Sequence, residues 1–319
     1  MPQSSLASDR PILRLGHSLR LGTRGSPLAL VQANMVRAAL IAAHGLAGDA
    51  IEIVAIRTSG DRIQDRPLAE VGGKALWTKE LDRALGDGDV DFCVHSMKDV
   101  ETVRPAEIVI AAMLPRADVR DRLIGAHSVA ELPDGALVGT SSPRRAAQLK
   151  RLRPDIRTTL FRGNVATRLA RLAAGEAQAT LLAAAGLDRL GQSDVGHAVP
   201  TETMLPAPAQ GAVGIETLTA NAEMRAMLAA IDHRDTHDCV LAERALLRAL
   251  AADCRSPVAA LARIDGGSIA LRAEILDLEG TDQVSGEIVI DRDSPDAARA
   301  LAHDMLSRAT PALRLLFGG

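Results

Sequence analysis

"LRLGTRGSPLALVQ" at residues 19–32 and "ALVGTSSPRRAAQL" at residues 136–149 follow one pattern. Each begins with a short apolar run, passes through Gly-Thr, and opens a helical stretch with Ser-Pro. A short apolar run bounded by turn residues reads as a buried strand. Serine ahead of proline reads as a helix N-cap followed by a first helical residue with no N–H to lose. The repeat therefore predicts two similar lobes, in which Ser26 and Ser142 cap helices that follow a strand, and Gly45 lies near the end of the first helix.

The segments around the repeat fit that scheme. "AIEIVAI" (50–56) reads as a strand, "KALWTKELDRALGDG" (74–88) has helical spacing, and "VDFCV" (90–94) is a buried strand ending at "HSMKD" (95–99). After the second copy come "RTTLFRG" (157–163), a helix "NVATRLARLAAGE" (164–176) and a strand "QATLLAAAG" (178–186). Alternating strands and helices indicate an α/β fold with a mostly parallel sheet. The proline-dense "PTETMLPAPAQGAVGIE" (200–216) reads as a crossing or hinge that ends in a strand. From about residue 234 the pattern becomes a helix "DCVLAERALLRALAA", a cysteine loop, strands "SIALRAEIL" and "GEIVI", and a last helix, which is a smaller α+β domain. The expected limits are a loose N-terminus over 1–17, one lobe over 18–114 and 212–229, the other over 118–206, and a C-terminal domain over 234–319.

Composition narrows the function. A chain of 319 residues is more than one core usually supports. Aromatics are 1% of residues and tyrosine is absent, so stacking on single-stranded nucleic acid is disfavoured. A net charge of −3 offers no basic face for a duplex or an anionic membrane. No apolar run is long enough for a membrane span, residues 1–20 do not have the pattern of a signal peptide, and three scattered cysteines suit a reducing compartment. A cytoplasmic protein is expected.

Three predicted helix starts, at Ser26, Ser142 and Asn164, are crowded by Arg24, Arg144, Arg145, Arg162 and Arg168. Cations in a first helical turn oppose the dipole unless an anion is shared there. Any one of these arginines could simply be solvated; their recurrence at strand–helix junctions, where α/β sheets bind ligands, points to a ligand with several carboxylates or phosphates. Lys98 and Asp99 lie at the end of a buried strand and belong to the same cleft. An ionised carboxylate there can stabilise a cationic intermediate or exchange a proton with a leaving amine; a helix cap or structural ion pair is the alternative. Cys254 sits in a polar loop beside Arg255, which favours a thiolate, the alternative being an incidental loop cysteine, whereas Cys93 reads as core packing. His233, His237 and Cys239 lack a fourth ligand at metal spacing, and no metal is expected. "VGGK" (71–74) reads as a glycine-hinged segment carrying Lys74 over the cleft.

With these residues in place the sequence resembles the porphobilinogen deaminase (hydroxymethylbilane synthase) family. The segments that carry the likeness are "GTRGSPLAL", "PLAEVGGKALWTKEL", "DFCVHSMKDV", "GTSSPRRAAQL", "FRGNVATRL", "AAAGLDRLG", "AQGAVGIE" and the cysteine loop, in family order. The resemblance implies two lobes like type II periplasmic binding proteins plus a C-terminal domain. It implies that Cys254 holds a dipyrromethane cofactor through a thioether, and that four porphobilinogen molecules are joined head to tail with loss of four ammonias to give hydroxymethylbilane. It also implies that Asp99 is the catalytic carboxylate, assisting loss of the amine and stabilising an azafulvene cation. Lys98, Ser142, Arg144, Arg145 and Arg168 would hold the cofactor, while Arg24, Ser26, Arg162 and Gln210 would meet the substrate. Lys74 and Trp77 would belong to an active-site loop. A monomer acting on a small molecule, without nucleic acid or membrane, is implied. The sequence departs from several relatives at Ser59 and Glu70, which lower the positive charge near the loop, at Trp77, and at Ala251-Ala252-Asp253, which leave less backbone freedom before Cys254. A bilobal binding protein for a polycarboxylate or amino acid is the alternative; it would have the cleft and the arginines but no use for Asp99 or Cys254.

Overall fold

The structure is a computed structural model that describes residues 18–58 and 77–317. Two five-stranded sheets share one plan. The first contains β1 (Leu19–Arg24), β2 (Ile51–Ile56), β3 (Phe92–Ser96), β4 (Ile108–Met113) and β10 (Val213–Leu218), in the order β2-β1-β3-β10-β4. The second contains β5 (Asp121–Ile124), β6 (Leu137–Gly139), β7 (Arg157–Thr159), β8 (Ala179–Ala183) and β9 (His197–Ala198), in the order β7-β6-β8-β5-β9. In each, the strand of the repeated motif pairs in parallel with two neighbours: β1 with β2 and β3, and β6 with β7 and β8. In each, the next strand runs antiparallel, β10 beside β3 and β5 beside β8. Because β5 follows β4 and β10 follows β9, the chain crosses between the sheets twice.

The repeated motif folds as its residues dictate. α1 (Pro27–His44) starts at Ser26, whose Oγ accepts from the Ala29 N–H at 3.3 Å, and stops at Gly45 with φ 64°. α2 (Lys79–Gly86) precedes β3. α3 (Pro143–Leu152) is capped by Ser142 Oγ, which accepts from the Arg145 N–H at 3.4 Å. α4 (Val165–Ala173) is capped by the Asn164 side chain, which accepts from the Thr167 N–H at 2.9 Å. Gly139 is required by packing: a Cβ there would lie 2.4 Å from the Phe161 ring.

Two local readings change. The apolar run from 178 divides: strand pairing with β5 ends at Asp121↔Ala183, and the next residues form α5 (Ala184–Arg189). Residues 258–265, Ala-rich and not read as a strand, form β11 (Val258–Asp265), which pairs along its whole length with β12 (Ser268–Leu276). Burial of Val258 through Ala262 overrides their weak strand preference. β13 (Gln283–Asp291) completes this third, antiparallel sheet. After α6 (Ala222–Ala229), the helix α7 (Arg234–Ala249) packs on β11 and on α8 (Arg299–Arg308) over an apolar core. His233 caps α7, its Nδ1 accepting from the Thr236 N–H, and His237 Nδ1 lies 2.9 Å from Asp232 Oδ1, so both histidines are engaged at the helix start. Cys239 is buried, and burial pushes its thiol up to about 12. Among the described residues no group of three or more His, Cys, Asp and Glu side chains could hold a metal, and no helix is long and apolar enough to cross a membrane.

Glu243, on α7 and fully buried, gathers both crossings. It accepts two hydrogen bonds from the Arg116 guanidinium at 2.7 and 3.0 Å, one from the Ala209 N–H at 2.5 Å, and one from the β11 N–H of Ala262 at 2.7 Å.

Candidate functional site

β3 is buried along most of its length and ends in a 3-10 turn, Met97–Asp99, which presents Lys98 and Asp99 where the sheets' carboxyl ends meet. The turn is anchored from the C-terminal domain. Arg244 on α7 donates to the carbonyls of Val100, Glu101 and Thr102, and Thr102 Oγ1 donates to the Ala252 carbonyl at 2.8 Å. The second bond ties Asp99's segment to the loop carrying Cys254.

Asp99 stands where three groups meet. On the side of the first sheet it lines a cavity of about 50 Å³ with Arg24, Ser26, Gln32, Trp77 and Ser96. The Arg24 guanidinium lies over the Trp77 ring, 3.9 Å from its centroid. Toward the second sheet, Lys98 donates to Gln210 Oε1 at 3.3 Å, and Gln210 Nε2 donates to Asp121 Oδ1 at 2.8 Å and to the Val119 carbonyl. Asp121 accepts from Arg145 at 2.7 Å and Arg144 at 2.9 Å. Arg168 donates to the Gly163 carbonyl and to Ser141 Oγ, and Arg162 is buried nearby.

The electrostatics show a surplus of positive charge. Burial, together with Arg145, lowers Lys98 to about 8, against the opposing pull of Asp99 and Asp121. Burial and Arg145 bring Arg168 down to about 10, again with Asp99 opposing. Asp121 is held well below the usual carboxylate range because Arg144 and Arg145 outweigh its burial. Four cations, Lys98, Arg144, Arg145 and Arg168, thus face two carboxylates, Asp99 and Asp121. The buried Nε of Arg145 and that of Arg144 have no hydrogen-bond acceptor among the described residues. Such a cluster suits an anion bearing several carboxylates, and the acetate- and propionate-bearing dipyrromethane fits that description.

The third group is the cysteine loop. Cys254 is exposed, yet enough protein surrounds its sulfur that desolvation, with the carboxylates of Asp253 and Asp99, pushes the thiol up to about 12. This corrects the expectation that Arg255 favours a thiolate. The Arg255 guanidinium is occupied by Asp253, at 2.5 and 3.0 Å, so its charge is largely cancelled before it reaches the sulfur.

The structure therefore brings Arg24, Ser26, Trp77 and Asp99 to one cavity, sets Lys98, Arg145, Arg168 and Gln210 beside them, and places Asp99 close enough to Cys254 to act on its charge. Arg144 and Arg145 are both buried: Arg144 donates to Asp121, Gln148 and the Leu205 carbonyl, and Arg145 to Asp121 and the Leu181 carbonyl. Lys74, Ser59 and Glu70 lie outside the described residues. Sequence reasoning missed Asp121, whose signal was present: in "DRLI" it alternates with the buried Leu123, and so faces the same buried side. Arg116, Glu243 and Arg244 carried no local signal, since their partners lie from 19 to 144 residues away in the chain.

The chain is similar to known proteins along nearly its whole length. The family model described as porphobilinogen deaminase, dipyromethane cofactor binding domain, matches residues 19–226, and that for the porphobilinogen deaminase C-terminal domain matches residues 237–307. A porphobilinogen deaminase of Sphingopyxis alaskensis is 59% identical over 94% of this chain and 96% of its own. One of Paracoccus denitrificans is 50% identical over 85% and 88%. Among solved structures, a periplasmic binding protein of Salmonella typhimurium with high arginine specificity is 13% identical, over 67% of this chain and 91% of its own, with a TM-score of 0.39. With both family models matched in order, and relatives at this identity along nearly the whole length, the chain belongs to the porphobilinogen deaminase family.

Proposed function

We propose that the chain joins four porphobilinogen molecules head to tail, releasing four ammonias and hydroxymethylbilane, on a dipyrromethane primer carried as a thioether by Cys254. The observation that carries this reading is the position of Asp99, shared by the small cavity, the cation cluster and the cysteine loop. The primer, when bound, supplies the terminal pyrrole carbon to which substrate is added. Lys98, Arg144, Arg145 and Arg168, with the capped N-terminus of α3 at Ser142, would hold its carboxylates; the two adjacent arginines also keep Asp121 ionised. Arg24, Ser26 and Arg162 would meet the incoming porphobilinogen, and Gln210 would link Lys98 to the second sheet. As the substrate's C–N bond breaks and ammonia leaves, the Asp99 carboxylate offsets the positive charge developing on the pyrrole and its methylene. Once alkylated, Cys254 would be a thioether with no ionisable proton, a tether that stays out of the chemistry. The lobe limits given from the sequence, a monomeric state and a cytoplasmic location belong to the same proposal.

Intact mass tests it. The active protein should exceed its sequence mass by one covalent dipyrrole and gain stepwise increments with porphobilinogen; Cys254→Ser should carry neither. Asp99→Asn should retain the primer increment and lose nearly all turnover. An active enzyme at its unmodified sequence mass would refute the tether, and near-normal turnover of Asp99→Asn would refute the role of the carboxylate.

A further inference from the structure

Arg104 lies outside the cation cluster and has no part in the chemistry above, yet three acids from three elements converge on its buried side chain. It meets Asp82 on α2 at 2.5 Å, Glu101 just beyond the Asp99 turn at 2.8 Å, and Glu216 on β10 at 2.8 and 2.9 Å. Gathering three carboxylates around one guanidinium is a poor way to gain stability alone, because Arg104 and Glu216 lose their hydration. The same guanidinium donates to Thr78 Oγ1 at 3.1 Å, and that hydroxyl donates to Glu101 Oε2 at 2.6 Å.

Thr78 is the residue at which an N-cap bond would be expected. It precedes α2 but makes no side-chain capping bond to its own helix. Its fully buried hydroxyl is committed to Arg104 and Glu101 instead. The preceding residue is Trp77, whose ring faces the Arg24 guanidinium at 3.9 Å, and Trp77, Thr78, Arg24 and Asp99 line one cavity. A chain of contacts thus runs from Arg104 through Thr78 and Trp77 to Arg24.

We propose that Arg104 is a positioning residue for the substrate pocket: gripping Thr78 and Glu101, it holds the Trp77 ring against Arg24 and so fixes the arginine that receives a substrate carboxylate. The last step rests on the assignment of Arg24 to porphobilinogen. A face-on aromatic ring restricts a guanidinium to the plane above it, which pre-orients the donor fork.

Trp77 is the only tryptophan in the chain and there is no tyrosine, so fluorescence of the holoenzyme reports on this contact directly. Emission is measured for the wild type, Arg104→Lys and Thr78→Val, each with and without Arg24→Leu. Arg24→Leu should shift the wild-type emission; in Arg104→Lys and Thr78→Val that Arg24-dependent shift should shrink by at least about half, the signature of broken coupling. The KM for porphobilinogen should rise about tenfold in both with kcat changed less than about twofold, as for lost ground-state positioning. An undiminished Arg24-dependent shift in both variants overturns the proposal. Loss of the coupling with unchanged KM supports the hold on Trp77 and Arg24 while overturning the assignment of Arg24 to substrate. Thr78→Val removes no charge, and gives the same reading if Arg104→Lys fails to fold.

Discussion

Lys98 is half-buried, and desolvation acting with Arg145 brings its ammonium to about 8 from the ordinary 10.5. The folded chain therefore releases this proton at lower pH than the unfolded chain. The cost of desolvating the charge is present in full below about pH 8 and is relieved as the pH rises from there to 10.5, so this residue adds stability toward alkaline pH. Its usefulness to an anion runs the other way. Uptake of the primer by primer-free protein incubated with porphobilinogen, followed by intact mass, should slow as pH rises through about 8, and Lys98→Arg should remove that dependence. Ala251 shows a second residue-level constraint. Its φ of 49° is in the left-handed region, where a Cβ is strained, just before the loop that carries Cys254. Ala251→Gly should raise stability by about 0.5–1 kcal/mol, seen as a higher melting temperature, because relief of the strain outweighs glycine's extra entropy in the unfolded chain. The sequence had already marked this position as a departure from relatives.

At the scale of elements, the capping residues did what their chemistry allows. Ser26, Ser142 and Asn164 each accept from a first-turn N–H, so the helix starts were legible from local sequence. Asn164 is exposed and contacts only its own turn, which makes it the cleanest test of how far a cap matters here. Asn164→Ala should cost about 1 kcal/mol in thermal or urea unfolding. It should also slow primer uptake by primer-free protein less than Arg168→Leu does, because the arginine and not the cap bears the charge. Strand β11 was illegible for the opposite reason. Alanines have little intrinsic claim on a strand, and only pairing with β12 makes residues 258–265 one.

The whole molecule is organised by contacts that span its three sheets. Glu243 joins the two crossings to the C-terminal domain through four hydrogen bonds, and Ala209, whose N–H is one of the donors, is itself held at φ 61°. Removing this acid leaves the Arg116 guanidinium, 11% exposed, without its partner and orphans two backbone N–H groups. Glu243→Ala should lower the urea midpoint by the equivalent of about 3–5 kcal/mol at unchanged slope, the cost of an uncompensated buried charge. Turnover should fall as well, because the same domain holds the Asp99 turn through Arg244 and the cysteine loop through Thr102.

The sequence by itself determined the repeated strand–helix motif, the three capped starts and the α/β character, and it singled out Asp99 and Cys254 as candidates, because those readings depend on neighbours within a few positions and on residue types whose chemistry is distinctive. Tertiary structure alone decided which partners each charge finds. Arg144 and Arg145 are adjacent in an identical local setting and share Asp121, yet Arg144 also reaches Gln148 and the Leu205 carbonyl, while Arg145 reaches the Leu181 carbonyl and acts on Arg168. Arg255, beside the cysteine, is cancelled by Asp253. A pattern of charges along a chain fixes neither their partners nor their desolvation; both depend on what folding brings within a few ångströms.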